Sequence, residues 1–356
     1  MKTLKEFVNL QEDIKPYKLV LFQNTNEEVR DVSNTNDKSD LWKIFTDSAK
    51  KSGVEVHRVD FNGLRIERKG GKTTIHSFGF NENDKVQLPD AKNEDEPNVL
   101  KPIEINPEDT IIFPRGLGSI GLTNVPHWTD MIQELELEGY LTIPSLKNWT
   151  NCSSKFLTDI LCRRAGLRTP KTLPVTYSDD SPRVAKEFNF PVILKASTGS
   201  QTGVGVLIME SLRSLHSTTQ MLKLYDPTLS LLVQEFIETK YDVRVIVVDG
   251  KVMGAMKREV IQGSDFRSNV SLGAGSTSFE LTEIEKQDSI KAANAVGGRF
   301  VGVDFIPAKD REKEQPYILE VNSMPGLGGI EKIKKGMTYE ILEHLKDRSI
   351  WSVSTP

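Results

Sequence analysis

Three oxygen-bearing side chains stand inside two short apolar runs of a 356-residue chain. The runs are FVGVDFI, residues 300–306, and YILEVN, residues 317–322. Each holds an acid, Asp304 and Glu320, where burial among Val, Ile and Phe is unfavourable without a partner. Alternation along a strand puts Glu320 and Asn322 on one face. Pairing of the two runs adds Asp304. Two carboxylates and an amide oxygen make a hard ligand set of the kind magnesium takes, with waters and substrate phosphates completing the shell. The bland alternative is an edge hairpin with exposed acids.

Other stretches carry phosphate chemistry. FPVILK, residues 190–195, reads as a strand ending in Lys195, and ASTGSQTGVGV, residues 196–206, follows it. Ser200, Gln201 and Gly203 lie in this Gly-rich loop, whose backbone N–H groups offset phosphate charge without bulk. Lys195 adds a point charge. There is no GK[ST] ending, so this is not a P-loop, and simple turn chemistry is the alternative. Lys155 sits in the first turn of a helix, against the helix dipole. A phosphate partner accounts for it, as does plain solvation. In DFRSN, residues 265–269, Arg267 suits bidentate capture of a phosphoryl group or carboxylate, and Asn269 suits metal or substrate. Taken alone these are a turn with a surface ion pair.

The elements that must position these groups are those of an α/β chain. KLVLFQ (18–23), a helix over 41–52 ended by Gly53, and a strand over 54–61 form a strand–helix–strand unit, which builds parallel sheet. A hairpin over 64–80 turns at Gly70-Gly71, with His76 facing solvent. Residues 81–109 are polar and acidic and read as a surface insertion. TIIFP (110–114) ends at Arg115, at a strand end where open α/β sheets bind ligands; a surface arginine is the alternative. A helix over 126–139 follows. The spacing predicts one helix over 151–165, an extended linker over 169–174, strands over 231–237, 241–248 and 251–258, and a turn at Asp249-Gly250. Asp242 shares a face with Arg244, and Met256 with Arg258. Thr282 and Glu285 form a capping box for a helix over 282–297. The stretch 330–345 is mostly helix, with a frayed tail after it.

The bulk numbers exclude several classes. A net charge of −4 and no basic aromatic patch argue against nucleic acid. No apolar run spans a membrane, and the N-terminus lacks a signal-peptide core. The expected location is cytoplasmic, with Cys152 and Cys162 as reduced structural thiols.

Asp304, Glu320-Val-Asn322 and the following SMPGL resemble the metal-binding end of the ATP-grasp superfamily, and GIEK at 329–332 resembles the RimK-type amino-acid ligases. The ordered set of Lys195, Gly-rich loop, QEFI at 234–237, DFRSN, Asp304 and Glu320-x-Asn322 carries the resemblance over roughly residues 110–345. It implies an ATP-grasp fold, an α+β sandwich within the α/β class, after a small Rossmann-like domain. The implied boundaries are 1–145, then 146–230 with the phosphate loop, then 231–350 with the metal site. The resemblance implies that Lys155, Lys195, Ser200, Gln201, Gly203, Gln234, Glu235, Phe236, Ile237, Asp242 and Lys257 bind ATP. Asp304, Glu320 and Asn322 then hold Mg2+, two ions with Mn2+ able to substitute, and Arg267, Asn269 and Arg258 are the catalytic residues. The implied reaction is amide formation through an acylphosphate, adding glutamate or another amino acid to a peptide or protein carboxylate. A homo-oligomer, tetramer or dimer, goes with it. A small-molecule ligase similar to glutathione synthase and a silent ATP-binding regulator stay as alternatives. Three features depart from the RimK pattern: the acidic insertion before Thr110, Met324 and Gly328 in place of a small and an acidic residue, and a longer loop over 259–264.

Overall fold

The computed structural model describes residues 17–23, 37–61, 63–77, 102–115, 125–175, 177, 180–198, 206–259, 276–326, 328, 331 and 334–351. The expectations for residues 1–16, for 81–101, for Ser200, Gln201 and Gly203, and for Arg267 and Asn269 lie outside them. The chain divides into two compact units, residues 1–146 with 326–356, and residues 147–325.

In the first unit, Leu19 to Phe22 are wholly buried, which is the signature of a strand covered on both faces. This is β1 (Lys18–Gln23). It pairs in parallel with β2 (Glu55–Asp60) and β6 (Thr110–Pro114), and β6 with β7 (Leu141–Thr142). The order is β2-β1-β6-β7. Helices α1 (Asp37–Ser52) and α2 (Val125–Leu137) make the crossovers, as the strand–helix–strand reading predicts. The hairpin β3 (Arg65–Lys69) and β4 (Lys72–His76) turns at Gly70 and Gly71, both at positive φ. His76 is half-buried there and pairs with Glu67 at 3.0 Å instead of simply facing solvent.

The polar insertion ends sooner than its composition suggests. β5 (Ile103–Ile105) pairs antiparallel with β4, and its Ile103 and Ile105 are buried around exposed Glu104. Past residue 345 the chain is not frayed as expected: a 3-10 turn over Arg348–Trp351 buries Trp351. Helix α8 (Met337–His344), within the stretch expected to be helix, packs on α1. Its N-terminus is capped by the Glu331 carboxylate, which accepts from Gly336 N at 2.5 Å and Thr338 N at 3.1 Å. The Tyr17 hydroxyl donates to Leu342 O at 3.2 Å, and the Trp351 ring stands edge-on to Tyr17.

The second unit holds two antiparallel sheets. In the first, order β10-β9-β11-β8, the strands are β8 (Thr172–Val175), β9 (Val192–Ala196), β10 (Val206–Met209) and β11 (Leu231–Glu235). β8 replaces the expected linker. Pro174 is tolerated because β8 is an edge strand. Helices α5 (Ser181–Ala185) and α6 (Leu212–Tyr225) cover one face, where Val184 and Leu215 join Val175, Leu194 and Val233 in a core.

The second sheet runs β14-β13-β12-β15-β16. Its strands are β12 (Tyr241–Val248), β13 (Lys251–Glu259), β14 (Ser276–Ser278), β15 (Phe300–Ile306) and β16 (Tyr317–Asn322). Asp249 and Gly250 both have positive φ, as a two-residue hairpin turn of this hand requires. Helix α7 (Glu283–Ala295), with its Thr282–Glu285 capping box, lies on one face. Val243, Val245, Val301 and Val303 meet Ala292 and Ala293 there. The single helix expected over 151–165 is two helices, α3 (Leu146–Ser153) and α4 (Lys155–Arg164). Ser154 between them is extended, and its hydroxyl accepts from Leu157 N, so a new N-cap restarts the helix.

Candidate active site

The core-facing valines of β12 and β15 leave the opposite face of that sheet for polar groups. Alternation then puts Asp242, Arg244, Arg258 and Asp304 together. Register makes them cross-strand neighbours: Asp242 lies opposite Arg258, Arg244 opposite Asp304, and Asp304 opposite Glu320. The register shifts between Asp304 and Phe305. Ile318 and Val321, an odd number apart, therefore both enter the core, while Glu320 and Asn322 stay on the polar face. Such a bulge re-aims side chains beside a site.

The ion pairs follow this row. Arg258 forks onto Asp242 at 2.7 and 2.8 Å and reaches Asp304 Oδ2 at 3.0 Å. Arg244 forks onto Asp304 at 2.7 and 2.6 Å and stands 4.0 Å from Glu320 Oε1. Asn322 Nδ2 donates to Glu320 Oε1 at 3.0 Å. Asp304 is 2% exposed. Burial alone would raise its pKa, but Arg244 and Arg258 outweigh it and hold the carboxyl ionised below the usual range.

These residues fit a hard divalent cation. The donors are two carboxylates, cross-strand neighbours on one sheet face, and an amide oxygen. Among the described residues no three His, Cys, Asp or Glu gather anywhere as a competing cluster.

The other sheet supplies cations. Lys195 is 7% exposed, on the face of β9 away from Leu194 and the helices. Its Nζ donates to Gln234 Oε1 at 2.9 Å, and Gln234 Nε2 donates to Thr172 Oγ1 at 2.7 Å. Burial pushes Lys195 down to about 8, with Glu320 opposing and Lys155 adding to the fall. Lys195 therefore feels both the second lysine and the acid of the ligand set. Lys155 is the first residue of α4, and its backbone N donates to Ser197 O at 2.9 Å, tying that helix to the end of β9. Helix α4 touches β8 and β16. Glu235 is exposed at the end of β11, its carboxylate accepting from Lys171 N at 3.2 Å. Phe236 and Ile237 follow, half-buried.

Three of the expected site residues stand in ion pairs within the protein. Arg258, expected to be catalytic, bonds Asp242 and Asp304. Asp242, expected to bind ATP, accepts from Arg258 on both oxygens. Lys257 alternates with Arg258 and shares its face with Ala255 of the α7-side core; it pairs with Glu259 and lies over the Tyr241 ring. Two contacts escape the sequence reading. The Arg244 fork onto Asp304 joins strands distant in sequence, and Thr172 is hidden in a stretch that reads as linker.

A model of the RimK-like ATP-grasp domain matches residues 152–345. A relative from Coxiella burnetii, named a probable alpha-L-glutamate ligase, is 34% identical over 235 residues, 63% of this chain and 74% of its own length. Among solved structures, a Chryseobacterium gregarium RiPP-associated ATP-grasp ligase, in complex with ADP and a leader and core peptide, superposes with TM-score 0.63 at 15% identity. That match covers 93% of this chain and 97% of the other. The macrocyclase MdnC from Microcystis aeruginosa, bound with precursor peptide MdnA, gives 0.63 at 14% identity over 92% and 99%. Family model and relative agree with the fold and the order of the motifs: the chain belongs to the RimK-like ATP-grasp family and is an ATP-dependent carbon–nitrogen ligase.

Proposed function

We propose that the protein joins an amino acid, with glutamate the first candidate, to a carboxyl group of a peptide or protein, using ATP with Mg2+. One observation carries this reading: α4, which begins at Lys155, is tied to the end of the Lys195 strand through Lys155 N and Ser197 O at 2.9 Å and touches β16, the strand of Glu320 and Asn322, so cations suited to phosphate and an oxygen ligand set converge within one unit. The name of the Coxiella relative supports glutamate, and the peptides in the Chryseobacterium and Microcystis structures support a peptide acceptor.

In this reading the acceptor carboxylate oxygen attacks the γ-phosphorus of ATP, ADP leaves, and an acylphosphate forms. The amine nitrogen then attacks the acyl carbon, phosphate leaves, and the amine gives up a proton. Lys155 and Lys195 hold the phosphates, and Gln234 keeps Lys195 in place. The segment Glu235 to Ile237 receives the adenine. Asp304, Glu320 and Asn322 hold the metal, which offsets charge on the phosphate oxygens when bound. Arg258 orients Asp304. Arg267 and Asn269 are assigned to the transferred phosphoryl group and the acceptor.

The test is ADP formation from ATP–Mg with each amino acid, alone and with peptides bearing free carboxylates, followed by mass spectrometry of the peptide. Gain of an amino-acid residue, abolished in Asp304→Ala, is the expected result. Loss of water from a peptide with no amino acid consumed would replace the reading with intramolecular closure, using the peptide's own nucleophile. ADP formation untouched by Asp304→Ala would sink the metal assignment.

A further inference from the structure

Asp304 sits between two guanidinium groups that are not equivalent. Arg258 is 4% exposed and forked onto Asp242, so its bond to Asp304 is secondary. Among the described residues the Arg244 fork goes wholly to Asp304, and its second carboxylate, Glu320, stands farther off at 4.0 Å. Its side chain is 17% exposed against 5% for Arg258. A planar fork on both oxygens of a carboxylate covers the lone pairs that a metal would use.

We propose that Arg244 is the stand-in cation of the metal site. It occupies Asp304 while nucleotide is absent, keeps the free enzyme a poor binder of divalent ions, and releases Asp304 when the metal arrives on the nucleotide phosphates. Metal and nucleotide then enter as one complex, not metal first. The proposal rests on the assignment of Asp304, Glu320 and Asn322 as metal ligands.

Charge decides the sign. The polar row carries Asp242, Asp304 and Glu320 against Arg244 and Arg258, leaving one net negative charge. One net charge is weak attraction for a divalent ion that must also displace a forked ion pair. Loss of Arg244 doubles the net negative charge and frees both Asp304 oxygens from the fork. Arg258 stays to orient Asp304 and to keep it ionised. A purely supporting role for Arg244 predicts the reverse, since metal affinity would fall with it. When nucleotide is bound, the polyphosphate brings the metal at high local concentration and offers the released guanidinium a new anion.

The experiment is Mn2+ titration of the full chain, read by the electron paramagnetic resonance of free Mn2+, without nucleotide and with ADP. For the wild type, weak Mn2+ binding alone and binding at least about tenfold tighter with ADP are expected. Arg244→Gln without nucleotide should bind Mn2+ about tenfold or more tighter than wild type, the scale of a charged hydrogen bond removed. Arg244→Lys, which keeps the charge without the fork, should fall between them and serves if the Gln variant folds poorly. Unchanged or weaker Mn2+ binding in both variants without nucleotide overturns the proposal. Tight ADP-dependent Mn2+ binding that survives Asp304→Asn instead overturns the ligand assignment on which it rests.

Discussion

Gln234 Oε1 takes a hydrogen bond from the buried ammonium of Lys195 at 2.9 Å, and the Gln234 amide is itself pinned by Thr172. The lysine proposed to hold the phosphates is thus aimed by a neighbouring strand, not by its own. Replacing Gln234 by Leu should raise KM for ATP about tenfold, the scale of one hydrogen bond to a charged group, with little change in kcat. Steady-state kinetics at saturating acceptor read both constants. A fall in kcat at unchanged KM would refute a positioning role.

Lys195 also sets a pH limit. Burial brings it from 10.5 down to about 8, against the pull of Glu320 and with the push of Lys155. Above about pH 8 the free enzyme loses the charge that holds phosphate, so KM for ATP should climb with an apparent pKa near 8. Lys195→Arg should remove that limb, and a limb left in place would assign the titration elsewhere. Stability runs the other way. Between about 8 and 10.5 the unfolded chain keeps a proton that the folded one has lost. This group's contribution to stability therefore rises with pH across that window and is lost as pH falls through 8.

Asp304 anchors two arginines in a place that is 2% exposed. Asp304→Asn leaves Arg244 without its forked partner and Arg258 with Asp242 alone, and should cost about 3–5 kcal/mol in urea unfolding at neutral pH. The folded pKa of this carboxyl is depressed. Its contribution is complete above the unfolded value of about 3.9 and is lost as pH falls through the lower folded value. The stability gap between wild type and Asp304→Asn should therefore close in acid below about pH 4. A gap of constant size from pH 7 to pH 3 would contradict the ion-pair account.

Two helix caps separate architecture from site. Ser154 and Thr282 each cap a helix with a side-chain oxygen, and Ala at either should cost about 1 kcal/mol. Only Ser154 adjoins Lys155 and the Ser197 carbonyl. Ser154→Ala should lower Tm and raise KM for ATP, whereas Thr282→Ala should lower Tm alone. Equal kinetic effects would mean that α4 does not position Lys155.

Gly302 lies opposite Asn322, and a Cβ there would come within 2.8 Å of the Pro325 ring. Pro325 is a rigid ring, so the segment after Asn322 must shift. Gly302→Ala should cost about 1–3 kcal/mol and weaken Mn2+ binding in the presence of ADP. Wild-type thermal unfolding and Mn2+ binding together would show that the segment yields freely.

The metal-ligand candidates were legible because an acid inside an apolar run such as FVGVDFI needs a partner to be buried, as Asp304 is, and alternation settles the face of Asn322 and of Glu320, which is a third exposed on the edge strand β16. The Asp242–Arg258 and Arg244–Asp304 pairs were not, since they arise from register between strands distant in sequence. Local pattern misleads at β5 and β8. β5 is three residues set between prolines, and β8 carries Pro174, which an edge strand accepts. The break at Ser154 is written in a serine preceding Lys155, but continuous apolar spacing on both sides hides it. Nothing in the periodicity of residues 337–344 says that α8 packs on α1.

That last pairing has a consequence for how the chain is made. The first unit needs residues on both sides of the second, because Tyr17 bonds Leu342 and meets Trp351, whereas residues 147–325 are continuous. During synthesis the later-starting unit has its whole sequence first, and the earlier one waits for the last residues to leave the ribosome. A stop codon after residue 325 would therefore spare the sequence of the catalytic half and leave the opposite half unfinished.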